Sequence, residues 1–306
     1  MDDVLFGGRF VSAEPIDKGW SGDKKYCVTQ ADGTRYLLRI SPIERYEHRK
    51  MMFEMQQKVA ALGVPMCEPI EFGTCDVGVY SIQSWIDGEE VSWVNGNQQV
   101  SMLPSLSEMR QYELGVISGK ILQKIHSIPA PETQEDWALF FNRKTDVKIA
   151  KYHACGIRFE GDEYVLAYLE RNRHLLEGRP QCFHHGDYHT GNMMIQHGEL
   201  KIIDFDRCRF GDLWDEFNCI VWCARSSPYF ASGQLRGYFD GEPPPDFFKL
   251  LAFYIASNTV GYITWAIPFG QGQVDTIIKQ SQEVLAWFDN MQNPIPSWYL
   301  KPPRNT

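Results

Sequence analysis

The stretch His185-Gly186-Asp187-Tyr188-His189-Thr190-Gly191-Asn192, followed by Ile202-Ile203-Asp204-Phe205-Asp206, gathers carboxylates, a carboxamide and imidazoles into one short part of the chain. Those residue types suit the transfer of a phosphoryl group to an alcohol. A nucleoside triphosphate is polyanionic, so a divalent cation must bridge its oxygens, and such a cation takes hard ligands, typically a carboxylate and an amide. The acceptor hydroxyl needs a carboxylate within hydrogen-bond reach to orient it and take its proton. Asp187 is the candidate base, and Asn192 and Asp204 are the candidate magnesium ligands. Taken singly, an Asp after a Gly is ordinarily a turn residue, Asn192 a loop residue and Asp204 the end of a strand. Their conjunction in this order is what speaks for chemistry.

In protein kinases a loop H-R-D-x-x-x-x-N supplies base and amide ligand five residues apart, and a later D-F-G supplies the metal carboxylate. Asp187 and Asn192 keep that spacing, and Asp204-Phe205-Asp206 stands where D-F-G would. The chain resembles the aminoglycoside phosphotransferase and choline kinase-like family, which has a protein-kinase-like fold but writes H-G-D for H-R-D and I-D-x for D-F-G. The segment ending Leu122-Gln123-Lys124-Ile125-His126 is similar to the family's Leu-His segment before the loop. Gly211-Asp212-Leu213-Trp214-Asp215 is similar to the Gly-Asp element after it. The resemblance implies that His185 pins the catalytic loop and that Asp215 braces it. It also implies Mg²⁺ and ATP or GTP as cofactors and a small-molecule alcohol as acceptor.

The nucleotide end is read from position. Lys18-Gly19-Trp20-Ser21-Gly22-Asp23-Lys24 lies between two expected strands, with Ser21 and Gly22 small enough for backbone N–H groups to approach phosphates; it is not a Walker motif. In kinases the strand that follows carries a Lys that pairs with the phosphates and with a helix Glu. Here Leu37-Leu38-Arg39-Ile40 offers Arg39, always charged and able to grip two oxygens. Its helix partner is Glu47 or Glu54, seven apart and so on one face, with Glu54 taken first. Backbone groups near Ser84 and Ile86 are expected to hold the base, so side chains there do not separate ATP from GTP.

The elements that must position these groups follow from periodicity. Residues 25–30 and 35–40 flank Ala31-Asp32-Gly33-Thr34, a hairpin signal. Apolar positions from 43 to 62 recur at three or four, a helix stopped by Gly63 and Pro65. Two strands are expected within 67–86, helices over 107–127 and 162–176, and a hairpin within 182–206 turning at His197-Gly198. Helices rich in aromatic residues fill the rest. The expected fold is α+β and two-lobed: a β-rich nucleotide-binding lobe over 1–86 and a helical lobe over 87–306 holding the catalytic loop and acceptor pocket.

The 306 residues, 43% hydrophobic, can bury such a core. A net charge of −9 speaks against general nucleic-acid binding. No run of 18 apolar residues and no signal-like start are seen, so no membrane span is expected. Eight scattered cysteines without a C-x-x-C pair read as reduced thiols of a cytoplasmic protein. His184, His185 and His189 lack a supporting Cys or acid set for zinc. Acids that could line a pocket for a cationic acceptor are Glu216, Asp240, Glu242, Asp275, Glu283 and Asp289, and an aromatic wall would instead suit a sugar or a quaternary amine. The acceptor stays open between an aminoglycoside and a metabolite alcohol such as choline, homoserine or a sugar. A non-catalytic nucleotide-binding module is the alternative from another class. No A-P-E segment or long activation loop supports a protein kinase, and no obligate protein partner is evident.

Overall fold

The computed structural model describes residues 6–17, 22–95 and 98–304. Its contacts divide the chain into two compact units, Met1–Glu90 with Asn192–Cys208, and Val91–Gly191 with Arg209–Thr306.

The first unit begins with β1 (Ser12–Pro15), β2 (Lys24–Thr29) and β3 (Arg35–Ser41), continues through helix α1 (Tyr46–Ala61), and adds β4 (Pro69–Cys75), β5 (Gly78–Ser84) and the short β6 (Glu89–Glu90). The first five strands form one sheet in the order β1-β2-β3-β5-β4 with antiparallel neighbours. The β2–β3 turn is tied by Thr34 N–H donating to Asp32 Oδ1 at 2.9 Å, and Gly33 takes φ +87°. Alternation along β2, β3 and β5 sends Val28, Leu38, Ile40 and Ile82 to one buried face, joined by Phe10. On α1 the stripe Met52, Phe53, Met55, Gln56 and Val59 is buried. Phe53 packs on Phe72 of β4, ring centroids 5.6 Å apart, and Gln83 of β5 donates to Gln56 at 2.6 Å.

The second unit opens with the hairpin β7 (Ser92–Asn95) and β8 (Gln98–Ser101), then α2 (Glu108–Ile125), α3 (Trp137–Cys155), α4 (Asp162–Asn172) and β9 (Gln181–His184). Ser107 and Asp136 cap α2 and α3, accepting from Arg110 N–H at 3.2 Å and Leu139 N–H at 3.0 Å. The chain then re-enters the first unit as β10 (Met193–Gln196) and β11 (Glu199–Ile202), joined by His197 (φ +52°) and Gly198 (φ +80°), the pair of positive angles a two-residue I′ turn requires. This hairpin pairs through β10 with β6, so 192–208 belongs to the first unit. The division therefore falls at residue 90 with a return at 192, where sequence alone suggests a single change at 86.

Back in the second unit, β12 (Arg209–Asp212) pairs with β9, followed by α5 (Ile220–Ser226), α6 (Pro228–Phe239), α7 (Pro245–Ala266) and α8 (Gln271–Trp287). Helices α2 and α6 cross on glycines. A Cβ on Gly115 would stand 2.1 Å from the Phe230 carbonyl oxygen, on Gly119 2.1 Å from that of Gln234, and on Gly233 2.2 Å from that of Tyr112. Pro245–Phe269 is long and apolar enough to cross a membrane by length and composition, but 67% of its apolar window is buried inside the unit, the behaviour of a core helix. Tyr254 of α7 receives a hydrogen bond from Trp137 Nε1 at 2.8 Å and donates in turn to Asp212.

Candidate active site

The β10–β11 register does the positioning in the first unit. Met193 lies across from Ile202, and the ladder runs one step further: Ile203 N–H donates to the Asn192 carbonyl oxygen at 3.0 Å. Asn192 therefore stands opposite Ile203, beside Asp204, at the open end of the hairpin. Asp204 has φ +65°, a left-handed conformation that a non-glycine residue adopts at a cost of about 1 kcal/mol. The two arms of the hairpin thus end on a carboxamide residue and a carboxylate residue at adjoining positions, residue types that suit magnesium.

Arg39 reaches the same place from β3. Its Nη2 lies 3.1 Å from Asp204 Oδ1, and its Nη1 pairs with Asp206. A second arginine, Arg49 of α1, donates to Asp206 Oδ1 at 2.7 Å and pairs with Asp23. Asp23, its side chain fully buried, also accepts from Ser41 Oγ at 2.7 Å and from Arg45 at 3.2 Å. Lys25 faces Arg39 across the β2–β3 ladder, and its amine is held below the usual lysine range by burial first and by the Arg39 charge second.

This arrangement corrects the expected ion pair. Glu54 and Glu47 are both exposed on α1, and among the described residues the carboxylates paired with Arg39 are Asp23, Asp204 and Asp206. The stripe that turns α1 inward is 52, 55, 56 and 59, and three residues before 52 comes Arg49 rather than a glutamate. The sheet-facing position therefore carries a cation, and the acids come from loop and strand ends. At the expected base-binding segment, Ser84 N–H is engaged by the Glu68 carbonyl at 2.9 Å and Ser84 Oγ accepts from Glu68 N–H at 2.8 Å, while Ile86 is buried. Gly22 is exposed with open space where a Cβ would be, and Ser21 lies outside the described residues.

In the second unit the loop from His184 to Gly191 is tied down at most positions. Gly186 takes φ +86°, and its N–H donates to both oxygens of Glu216, at 3.0 and 3.1 Å. Asp187 N–H donates to His185 Nδ1 at 3.3 Å, a bond internal to the loop. Tyr188, buried, donates to the Ser118 carbonyl at 2.8 Å. Thr190 Oγ1 lies 2.9 Å from Ser92 Oγ and 3.0 Å from Ser226 Oγ. Asp187 keeps a quarter-exposed carboxylate with His189 Nε2 3.4 Å from its Oδ1, and Gly191 N–H donates to His189 Nδ1 at 3.0 Å, which leaves the ring proton on Nε2. A rigid loop presenting one partly exposed carboxylate is what a general base requires.

The family model described as "Phosphotransferase enzyme family" matches residues 12–248. The chain belongs to the phosphotransferase enzyme family. A search of curated protein sequences finds no significant match. Among solved structures, the phosphotransferase is similar to a choline/ethanolamine kinase family protein from Mesorhizobium loti (TM-score 0.67, 14% identity, 95% of this chain and 93% of that one). It is also similar to the amicoumacin kinase hAmiN in complex with AMP-PNP, Ca²⁺ and Ami (0.62, 13%, 92% and 90%). A third similar structure is a thermostable mutant of the aminoglycoside phosphotransferase APH(4)-Ia in ternary complex with ADP and hygromycin B (0.62, 16%, 93% and 98%). The protein is a small-molecule phosphotransferase with the protein-kinase-like α+β fold, an antiparallel sheet in one unit and helices in the other.

Two further points emerge for this phosphotransferase. Asp215 is buried and pairs with Arg209 at 2.9 Å, which holds its carboxyl below the usual range against the opposing effect of burial, whereas the direct brace on the catalytic loop is Glu216. Glu216 is therefore a buried loop ligand and not a pocket acid. Of the other pocket candidates, Glu242 pairs with Arg236 and Glu283 with Arg225. A narrow cleft in the helical unit, with an enclosed volume of only about 20 Å³, is lined by Asn218, Arg225, Asn258, Tyr262 and Gln280 among others. Asn218 adjoins Cys219, whose Sγ lies 3.8 Å from Asp187 Oδ1.

Proposed function

We propose that the protein transfers the γ-phosphoryl group of ATP, or of GTP, to a hydroxyl of a small molecule in a magnesium-dependent reaction. The observation that carries this reading is the β10–β11 register, which sets Asn192 beside Asp204 in a chain of the phosphotransferase family. Asn192 and Asp204 would hold magnesium, which when bound neutralises charge on the phosphate oxygens. Asp187 orients the acceptor hydroxyl and takes its proton as the oxygen attacks the γ-phosphorus and the bond to the β-phosphate oxygen breaks. His189 Nε2, 3.4 Å away, keeps the Asp187 carboxylate in place. Arg39 supplies a fixed cation for the phosphates while tethered by Asp204 and Asp206. All eight cysteines are free thiols, in keeping with a reducing cytoplasm.

For the acceptor, an aminoglycoside is suggested by the hygromycin B complex of a similar structure. The cavity beside Asn218 favours a metabolite alcohol instead. Its polar lining is amide, hydroxyl and guanidinium, with the nearby Glu283 paired to Arg225 at 2.6 Å, so a polycation gains little there. The faces of Trp222 and Trp287, which could receive a quaternary amine, carry the Arg225 guanidinium at 4.9 and 5.4 Å. A neutral polyhydroxylated acceptor of the sugar class is the chemistry that this lining matches.

The test mixes the full chain with Mg²⁺, ATP or GTP and a panel of sugars, amino-alcohols and aminoglycosides, and follows nucleoside diphosphate release. The expected result is release that depends on a sugar-class acceptor and disappears in Asp187→Asn, with nucleotide binding retained. Nucleotide binding without turnover on any acceptor would favour the non-catalytic module.

A further inference from the structure

We propose that His126, Cys182, His184 and Glu216 form a zinc-binding site behind the catalytic loop. The four residues come from three places in one unit. Strand β9 reads Gln181-Cys182-Phe183-His184, so Cys182 and His184, two apart, share a face of the strand. His126 is the C-cap of α2, and Glu216 lies in the 3₁₀ turn Asp215–Cys219. One ring nitrogen of each histidine and the Cys182 sulfur all lie within 4.8 Å of one another. Glu216 Oε2 is 3.8 Å from His126 Nε2 and 4.0 Å from His184 Nδ1. With metal–ligand bonds of 2.0–2.3 Å, a tetrahedral zinc site has ligand–ligand edges of about 3.5 Å. The two glutamate–imidazole edges stand near that length already, and small side-chain shifts close the rest.

The polar groups of the cluster call for an occupant. His184 is fully buried and neither ring nitrogen has a hydrogen-bond partner among the described residues; His126 Nε2 has none either. Native interiors seldom leave such groups unmet. The 3.8 and 4.0 Å separations from Glu216 are too long for hydrogen bonds but suit an ion between the groups. His126 is oriented for the purpose, since its Nδ1 is 2.8 Å from the Tyr238 hydroxyl and its Nε2 points to the cluster, the outer-shell pattern of metal-bound histidines.

Charge balances as well. A zinc dication with the Cys182 thiolate and the Glu216 carboxylate sums to zero; the thiol proton leaves to solvent when the Zn–S bond forms. Because Glu216 also accepts from Gly186 N–H, the ion would fasten β9 and the end of α2 to the loop that carries Asp187. The likeness of Cys182-x-His184 to a ligand pair is hidden in sequence because its other ligands lie 56 residues before Cys182 and 32 residues after His184.

The test uses the full chain, stripped of metal by a chelator and then titrated with Zn²⁺ or Co²⁺. The expected result is one equivalent of zinc by mass spectrometry. Cobalt should give visible d–d bands with a near-ultraviolet thiolate charge-transfer band that vanishes in Cys182→Ser and persists in Cys155→Ser. Tyr238→Phe, which keeps the fold's apolar contacts, should weaken zinc binding about 10–100-fold. If Cys182→Ser does not fold, the wild-type cobalt spectrum and Tyr238→Phe still decide. A wild-type protein that takes up neither metal overturns the proposal, as does uptake unchanged by Cys182→Ser or Tyr238→Phe; the cluster would then be held by a proton shared between Glu216 and the imidazoles.

Discussion

Arg49 donates to Asp206 at 2.7 Å while Arg39 pairs with the same carboxylate, so a single acid links the central strand of the sheet to helix α1. In the arrangement familiar from protein kinases a helix glutamate holds the strand cation. Here the polarity is reversed: the helix gives a cation, and Asp206, Asp204 and Asp23 give the anions. The outcome for Arg39 is the same. It is held by fixed partners, so little side-chain entropy is left to lose in the phosphate-binding role proposed above.

Removing the shared acid should therefore be costly. Arg39, Arg49 and Asp206 have side chains only 11%, 8% and 14% exposed, and Asp206→Ala leaves two nearly buried guanidinium groups short of a partner. Loss of one member of a buried ion pair costs about 3–5 kcal/mol. Urea denaturation of the nucleotide-free protein should show a destabilisation of about that size for Asp206→Ala, with a smaller loss for Arg49→Lys, which keeps charge but not the fork that spans Asp206 and Asp23. A change below about 0.5 kcal/mol for Asp206→Ala would mean the network is ornamental.

Asp204 combines a side-chain role with a strained backbone, and two substitutions separate them. Asp204→Ala and Asp204→Gly both delete the carboxylate, so both should lose magnesium-dependent nucleotide binding in titration calorimetry. Only glycine is at ease at φ +65°. Asp204→Gly should therefore be more stable than Asp204→Ala by about 1 kcal/mol. The opposite ranking would remove backbone strain from the account, and full nucleotide affinity in either variant would remove Asp204 as a metal ligand.

Much of this was legible before the structure, and the misses have physical causes. The Asp32-Gly33 and His197-Gly198 turns were readable because positive φ restricts the residue types allowed. The α1 helix was readable from its apolar spacing, but the inward face was not, because Met51 and Leu62 lie on the exposed side while Met52, Met55 and Val59 lie on the buried one. Extending the stripe 59-56-52 back by three reaches Arg49, a signal that was available in the periodicity. The assignment of β10 and β11 to the first unit depends on pairing with Glu89–Glu90, a two-residue strand without any local pattern. Glu216 looked like one acid among many, and only long-range contact reveals it beneath Gly186.

The glycines between α2 and α6 give a prediction whose sign runs against helix propensity. In an exposed helix, Gly→Ala stabilises by about 1 kcal/mol. At Gly119 the added methyl would meet the Gln234 carbonyl oxygen at 2.1 Å and the Tyr238 amide nitrogen at 2.5 Å, both backbone atoms that cannot turn aside. Gly119→Ala should force the helices apart and destabilise the protein by about 1–3 kcal/mol. Gly156, left-handed at φ +72° but with nothing within 4 Å, serves as the comparison, since Gly156→Ala costs only backbone strain. Thermal denaturation that ranks Gly119→Ala as stable as wild type would contradict the close crossing.

Lys148 of α3 sets a pH dependence. Its amine donates to Ser257 Oγ at 3.1 Å and Asn258 Oδ1 at 2.8 Å, neutral partners on α7. Burial, reinforced by the neighbouring Lys144 charge, lowers its pKa from 10.5 to about 7. Between those values the unfolded chain holds a proton on Lys148 that the folded protein has released, so folding is increasingly favoured as pH rises. Below about pH 7 both states are protonated, and the cost of burying the charge is felt in full. The slope contributed by one such group approaches about 1.4 kcal/mol per pH unit. Urea midpoints measured near pH 7 and near pH 9 should rise with pH in the wild type and rise distinctly less in Lys148→Met, which fills the same space beside Gly261 without a titrating amine. Equal slopes in the two proteins would show that Lys148 keeps an ordinary pKa and that its amine reaches water.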